Sequence, residues 1–180
     1  ALQSRCTRFR FGPLMPEQIR GRMNMIIDEE KLDVTEDARD ALLSLSNGDM
    51  RRVLNVLQAA AMAFDKIDAP SIYLCTGNPF PDDVRSVLDL MLNESFDVAF
   101  TQILDMCVTK GYALGDILHG ITELVLTMDL PDPVLASLLD EMSTIEWRLA
   151  SGCSEKTQLG ALIGSFTVAR ASMVPADGGA

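Results

Sequence analysis

From Pro16 onward, the apolar residues of this chain recur three and four positions apart in run after run, and most of the runs are closed by proline, glycine or asparagine. A side chain every 100° around a helix axis gives that spacing a single apolar stripe, whereas a half-buried strand would alternate in twos. Pro16 suits a first helical turn, and Ile19, Met23, Ile26 and Ile27 form a stripe over a segment reaching about Lys31. Thr35, followed by Glu36 and Asp37, predicts an N-cap for a second helix with Ala38, Leu42 and Leu45 inward. A third begins after Gly48-Asp49 and runs to about Phe64, with Val53, Leu57, Ala60, Ala61 and Phe64 on one face. Beyond a stretch broken by Pro70, Gly77, Pro79 and Pro81, five more are expected: Pro81 to Leu92, Phe96 to Thr109, Leu114 to Met128, Pro133 to Ala150 and Glu155 to Val174. Only Thr7, Phe9 and Phe11, alternating with Arg8 and Arg10, predict a short strand-like segment near the N-terminus, closed by Gly12-Pro13. The expectation is an all-α protein of a three-helix and a five-helix unit, with a break between Asp65 and Pro81.

Charge divides the chain in a similar place. The first 66 residues carry ten basic and ten acidic groups, while the rest carry five basic and sixteen acidic, and therefore the whole net charge of −11. A balance of that sign argues against a protein that grips nucleic acid with its entire surface. The asymmetry fits two parts with different partners, although a solvated acidic face is the commoner cause of such a balance. No apolar run approaches the length needed to span a bilayer, so no membrane partner is expected. Ala1 stands where an initiator methionine would, which points to a chain beginning within a longer protein.

Cofactor and nucleophile chemistry is sparse. Cys6, Cys75, Cys107 and Cys153 are far apart, and with one histidine, His119, they offer neither zinc-ligand spacing nor a redox pair. Three of the cysteines lie in or beside apolar stretches, where buried reduced thiols are expected, and His119 is expected to be structural. Met25-Ile26-Ile27-Asp28-Glu29 imitates the strand that delivers an acidic pair to Mg²⁺, but its apolar residues continue the helical stripe begun at Ile19. Ahead of Lys156-Thr157, Ala150 and Glu155 stand where a phosphate loop needs glycine. The ten methionines, including Met91, Met106, Met128 and Met142, fall at helical positions suited to adaptable core packing.

Arginines carry the remaining signal. Asn47-Gly48-Asp49-Met50-Arg51-Arg52 puts two guanidinium groups in the first turn of a helix, where the dipole and free N–H groups favour negative charge. An anion held there by the N–H groups and Arg51, on the same polar side as Asn55 and Gln58, is one account. Asp49 capping the helix and pairing with an arginine is the other, and simpler. Arg5, in Ser4-Arg5-Cys6, stands on a short loop from which it could project toward a neighbouring molecule.

These same residues carry a resemblance. Ala1-Leu2-Gln3-Ser4-Arg5-Cys6-Thr7-Arg8-Phe9-Arg10-Phe11 and Ser46-Asn47-Gly48-Asp49-Met50-Arg51-Arg52-Val53-Leu54-Asn55-Val56-Leu57-Gln58 closely resemble the small subunits of replication factor C, the eukaryotic sliding-clamp loader of the AAA+ family. Met62-Ala63-Phe64, Tyr73-Leu74-Cys75-Thr76-Gly77 and Gly115-Asp116-Ile117-Leu118 are similar to the fifth-subunit type. The resemblance implies four parts: the end of an ATPase core over residues 1–12, a three-helix lid over 13–68, a five-helix collar over 69–175 and a frayed tail over 176–180.

By the same resemblance, Arg5 is an arginine finger acting on ATP in an adjacent subunit. Arg51 is the lid's second-sensor arginine touching ATP in its own subunit, and Arg52 is a weaker addition to it. ATP with Mg²⁺ would serve the complete subunit. The phosphate loop, Walker B acids and first sensor would lie upstream of Ala1, so this stretch alone would neither bind the cofactor nor act as an enzyme. The partners implied are the other subunits of the ring through the collar, the sliding clamp PCNA, and primer-template DNA mainly through the absent core, in the nucleus. Two other functions compete on the residues alone. One is a non-catalytic helical adaptor that binds proteins through its apolar faces. The other is a helix-turn-helix DNA binder with Arg51 and Arg52 on phosphates, poor in base-reading side chains beyond Asn55 and Gln58.

Overall fold

The computed structural model describes residues 5–10 and 12–173, in two compact units that meet at Thr76–Gly77. In the first unit the order is α1 (Pro16–Glu30), β1 (Asp33–Val34), α2 (Glu36–Ser46), α3 (Met50–Ala63), β2 (Lys66–Ile67) and α4 (Ala69–Thr76). The second holds α5 (Pro81–Asn93), α6 (Phe96–Lys110), α7 (Leu114–Thr127), α8 (Asp132–Ala150) and α9 (Glu155–Met173). The all-α expectation holds, and the helices expected from periodicity begin and end within a residue or two of these bounds.

Local chemistry sets the boundaries in the first unit. Pro16 opens α1, and Gln18 Oε1 reaches back to accept from the Met15 N–H at 3.1 Å, satisfying a donor that the helix itself leaves free. Lys31 ends it in the left-handed conformation, φ 54°. Thr35 caps α2 by accepting from the Ala38 N–H at 3.3 Å, with Glu36 and Asp37 in the favourable first turn. Ile19, Met23, Ile27, Leu42, Val53 and Leu57 are buried together, so the three stripes face one core. Ile26, Leu45 and Ala61 lie at its margin, and Phe64 is exposed because α3 ends one residue earlier.

Three features of this unit depart from the expectation. Thr7 and Phe9 are exposed, and residues 7–10 form no strand, because an extended segment needs a ladder partner and none pairs with it among the described residues. Phe11 lies outside the described residues. Strand structure occurs instead where it was not expected, in a two-residue parallel pair with Val34 opposite Ile67, extended by Thr35 N–H to Ile67 C=O at 3.0 Å. The apolar piece Ile72 to Cys75 is part of α4, a fourth helix started by Asp68, whose carboxylate accepts from the Ser71 N–H at 2.9 Å and its hydroxyl at 2.5 Å. Ile72 is fully buried against α2 and α3, so the helix that follows Asp68 belongs with the first unit and the break comes after Thr76.

In the second unit, α9 packs against α5, α6 and α8, and α7 packs between α5 and α8. Met91, Ile103, Ile117, Ile121, Met142, Ile145 and Phe166 are its largest fully buried side chains, each contributing about 1.5–3 kcal/mol by leaving water. Met106 and Met128 fill gaps at the edge. Polar ties join helix ends where the chain has no local cap. Glu155 Oε2, on α9, accepts from the Leu114 N–H at 3.4 Å at the start of α7, and Arg170 Nη1 donates to the Leu92 carbonyl at 2.8 Å near the end of α5. Val174 and the tail over 176–180 lie outside the described residues.

Candidate functional site

The turn between α2 and α3 brings the arginine signal into focus. Ser46 ends α2; Asn47 and Gly48 then take φ of 50° and 82°, a left-handed pair that reverses the chain within two residues. Asp49 is the N-cap of α3, its Oδ1 accepting from the Arg51 N–H at 2.8 Å. Half of the simpler sequence account therefore holds, since Asp49 caps the helix. The other half does not: neither Arg51 nor Arg52 forms an ion pair with Asp49 or with any other acid among the described residues.

Lack of an ion pair among the described residues is shared with Arg22, Arg148 and Arg170, whereas three arginines are paired. Arg20 pairs with Glu36 at 3.3 Å and with Asp40, Arg39 pairs with Glu36, and Arg85 pairs with Asp82 at 3.1 Å. Arg51 and Arg52 are exposed in the first turn of α3, beside N–H groups that a helix leaves free. Asn55 and Gln58 are also exposed, one and two turns along from Arg51, opposite buried Val53, Leu57 and Ala60. Two guanidinium groups at the positive end of a helix, with a single carboxylate engaged by the backbone, can take up a multiply charged anion.

Arg5 is exposed, as are Cys6, Arg8 and Arg10, and no hydrogen bond or ion pair joins it to Arg51 or Arg52 among the described residues. Ser4, ahead of it, lies outside them. His119 is a surface residue, its Nε2 3.6 Å from Glu123 Oε1. Asp28 and Glu29 are exposed on α1, so the apparent acidic-pair strand is helix. The cysteine expectation needs correction: Cys6 and Cys153 are exposed and Cys75 and Cys107 only half-buried, all four free. Cys153 comes just after the Ser151–Gly152 turn that ends α8, and Cys107 sits in the last turn of α6, where burial and then the charge of Glu155 push its thiol up. No group of three or more His, Cys, Asp or Glu is placed to hold a metal among the described residues, and no helix among them is long and apolar enough to cross a membrane.

Sequence reasoning missed the packing of the α2–α3 turn on the chain ahead of α1. Leu14 N–H donates to the Gly48 carbonyl at 3.1 Å, and a Cβ on Gly48 would lie 2.7 Å from Pro13 Cβ. Asn-Gly signals a tight turn, but nothing in the two letters says what the turn rests on.

The two units match two known domains. Residues 16–70 match the RFC1-like AAA+ ATPase lid domain, and residues 79–165 match the replication factor C C-terminal domain. A lid of AAA+ type followed by that helical domain is thus the class of protein the fold defines. The chain is 49% identical over 170 residues to human replication factor C subunit 5, covering 94% of this chain and 50% of that protein. It is 48% identical over 176 residues to replication factor C subunit 3 of rice, Oryza sativa subsp. japonica, covering 98% and 49%. With subunit 3 of Schizosaccharomyces pombe the identity is 44% over 166 residues, covering 92% and 48%. The chain belongs to the replication factor C family and spans about half the length of these relatives, corresponding to their C-terminal part.

Proposed function

We propose that this chain supplies the lid and collar of a clamp-loader small subunit, in which ATP binding and hydrolysis open a sliding clamp and load it onto primer-template DNA. The observation that carries the reading is the unpaired Arg51 at the capped start of α3, within a unit matching a AAA+ lid. In this reading Arg51 senses the phosphates of ATP-Mg²⁺ held by the subunit's own core, with Arg52 beside it. Arg5 acts as the finger on ATP in the adjacent subunit. The lid then comprises the first unit from about Pro13, and the collar the helices from α5 onward. Such a subunit would work in the nucleus, with PCNA and DNA engaged mainly through the core.

The collar's role is to join the subunit to others of its complex. Trp147 and Val168, 69% and 70% exposed, offer apolar surface for that purpose, as does a groove of about 440 Å³ between α8 and α9 lined by Val134, Leu138, Ala161 and Gly164. The acidic surplus beyond Lys66 is then a face turned to protein rather than to nucleic acid.

The test replaces Arg5 by Ala in the full-length subunit and reconstitutes the complex. Assembly should survive, while DNA-stimulated ATP turnover falls by up to about 10³-fold at the affected site, since a finger stabilises charge that develops only in the transition state. Unchanged turnover overturns the assignment of Arg5.

A further inference from the structure

The first turn of α3 reverses the charge pattern of most other helices in the chain. α1, α2 and α5 to α9 each carry an acidic residue in the first turn, where free N–H groups and the helix dipole favour it. α3 carries none, and has Arg51 and Arg52 there instead. The one carboxylate between Asn47 and Val53 is that of Asp49, and its residue is tied down three times. Asp49 Oδ1 accepts from the Arg51 N–H at 2.8 Å, its own N–H donates to the Ser46 carbonyl at 3.0 Å, and its carbonyl accepts from the Val53 N–H at 3.2 Å. Asp49 is exposed and forms no ion pair with either arginine among the described residues, so its charge is fixed in place without being neutralised.

An anion brought to this turn meets two obstacles. The Arg51 N–H, which a phosphate oxygen could otherwise use, is already engaged by Asp49. A negative charge also stands beside the two guanidinium groups and lowers the potential they present. Any capping side chain would impose the first obstacle. The second is particular to aspartate, because asparagine and serine cap a helix about as well without a charge. What aspartate adds over those residues is stability for the helix dipole, gained at the expense of attraction for a second anion.

We infer that Asp49 is a positioning residue that also acts as a brake on the site at Arg51. Its cap places Arg51 at the start of α3, and its charge keeps the affinity for nucleotide phosphate below what Arg51 and Arg52 alone would give. The inference rests on the reading of Arg51 given under Proposed function and deepens it, since Arg51 supplies the attraction and Asp49 limits it.

The test uses the full-length subunit in the reconstituted complex, with only this subunit keeping a working phosphate loop, and a fluorescent ATP analogue is titrated onto it. Asp49→Asn and Asp49→Ser keep a capping side chain and remove the charge. Each should tighten analogue binding by about two- to fivefold at low salt, and the gain should shrink as added salt screens the charge. Asp49→Glu keeps the charge on a side chain that caps poorly, and should bind no tighter than wild type. A residue that only caps the helix would give the opposite order, with the neutral caps no better than aspartate. Circular dichroism of each variant checks that the helices are intact, and Asp49→Ser decides the matter if Asp49→Asn does not fold. Arg51→Ala, run in parallel, reads the parent assignment by itself. If Arg51→Ala weakens binding while the neutral caps fail to tighten it, the brake is overturned and Asp49 is a cap alone. If Arg51→Ala leaves binding unchanged, the parent reading fails and the brake with it.

Discussion

The phenol of Tyr112 donates to Asp83 Oδ2 at 2.7 Å, and Lys110 Nζ holds both oxygens of the same carboxylate at 2.7 Å. Asp83 lies in the first turn of α5, Lys110 is the last residue of α6 and Tyr112 lies in the loop that leads into α7, so one side chain ties the start of α5 to the α6–α7 connection. Burial pushes the Asp83 carboxyl up, but the hydrogen bonds from Lys110 and Tyr112 and the ammonium charge outweigh it and hold the group below the usual carboxylate range.

Asp83→Asn should therefore destabilise the folded chain by about 1–2 kcal/mol, the gain from the ion pair being reduced by water reaching the half-exposed lysine. Because the folded-state pKa is depressed, the contribution is present above the unfolded value and disappears as pH falls through the folded one. Urea denaturation at pH 7 should separate variant from wild type, and the two should converge as pH drops below about 4. A constant gap across that range would count against an ionised Asp83 as the source.

Alkaline titration reads the same cluster from the other side. Burial, and then the hydrogen bond to Asp83, push the Tyr112 hydroxyl up to about 12. A raised folded value means that the contribution is complete below the unfolded pKa and is lost as pH rises from about 10 through the folded one. Absorbance of tyrosinate near 295 nm should show Tyr112 still protonated at pH 11, and Asp83→Asn should bring its ionisation down. Ionisation of Tyr112 near pH 10 in the wild-type chain would contradict the geometry.

Gly120 of α7 lies directly against Val84 of α5. A Cβ there would stand 3.0 Å and 3.2 Å from the two methyl groups of Val84, a buried and stiff side chain. Gly120→Ala trades a gain in helix propensity of about 1 kcal/mol against overpacking of about 1–3 kcal/mol. A net loss is expected on urea denaturation, and Val84→Ala in the same chain should turn the effect of Gly120→Ala favourable by opening the space. Additive effects of the two changes would show that the helices yield without strain.

How far the sequence reveals this molecule depends on the distance over which each feature is written. Thr35-Glu36-Asp37 and Pro16 are local signals, and α1 and α2 begin where they indicate. The stripe Val53, Leu57, Ala60 predicts the buried face of α3, and Arg51 falls on the opposite side as that phase requires. The parallel pair Val34–Ile67 joins residues more than thirty apart through backbone groups, which no side-chain pattern encodes. Ile72 to Cys75 is too short a run for periodicity to distinguish strand from helix, and its burial on α2 and α3 decided the matter. Residues 7–10 show the converse failure, since alternation gives a strand its faces but cannot supply the partner that makes it one. The contact of Pro13 with Gly48 was hidden for the same reason: Asn47-Gly48 announces a left-handed turn, while what presses on the turn comes from thirty-five residues upstream.

Arg51→Ala tests the site most directly. The guanidinium group has no acidic partner among the described residues, and the backbone N–H of residue 51, which binds Asp49, survives the substitution. Removing a cation from the first turn of α3 also relieves an unfavourable interaction with the helix dipole, so stability should be unchanged or higher by about 0.5 kcal/mol. Nucleotide binding should respond in the opposite direction. In the complete subunit, loss of a charge-assisted contact to phosphate should weaken ATP affinity by about tenfold or more, with a smaller effect for Arg52→Ala. Lysine at position 51 should restore part of the affinity as a point charge without the planar fork. Opposite signs for stability and affinity distinguish a binding arginine from a structural one, because a structural residue would lose both together. A fall in stability with unaltered nucleotide affinity would show that Arg51 serves the fold and not the phosphate.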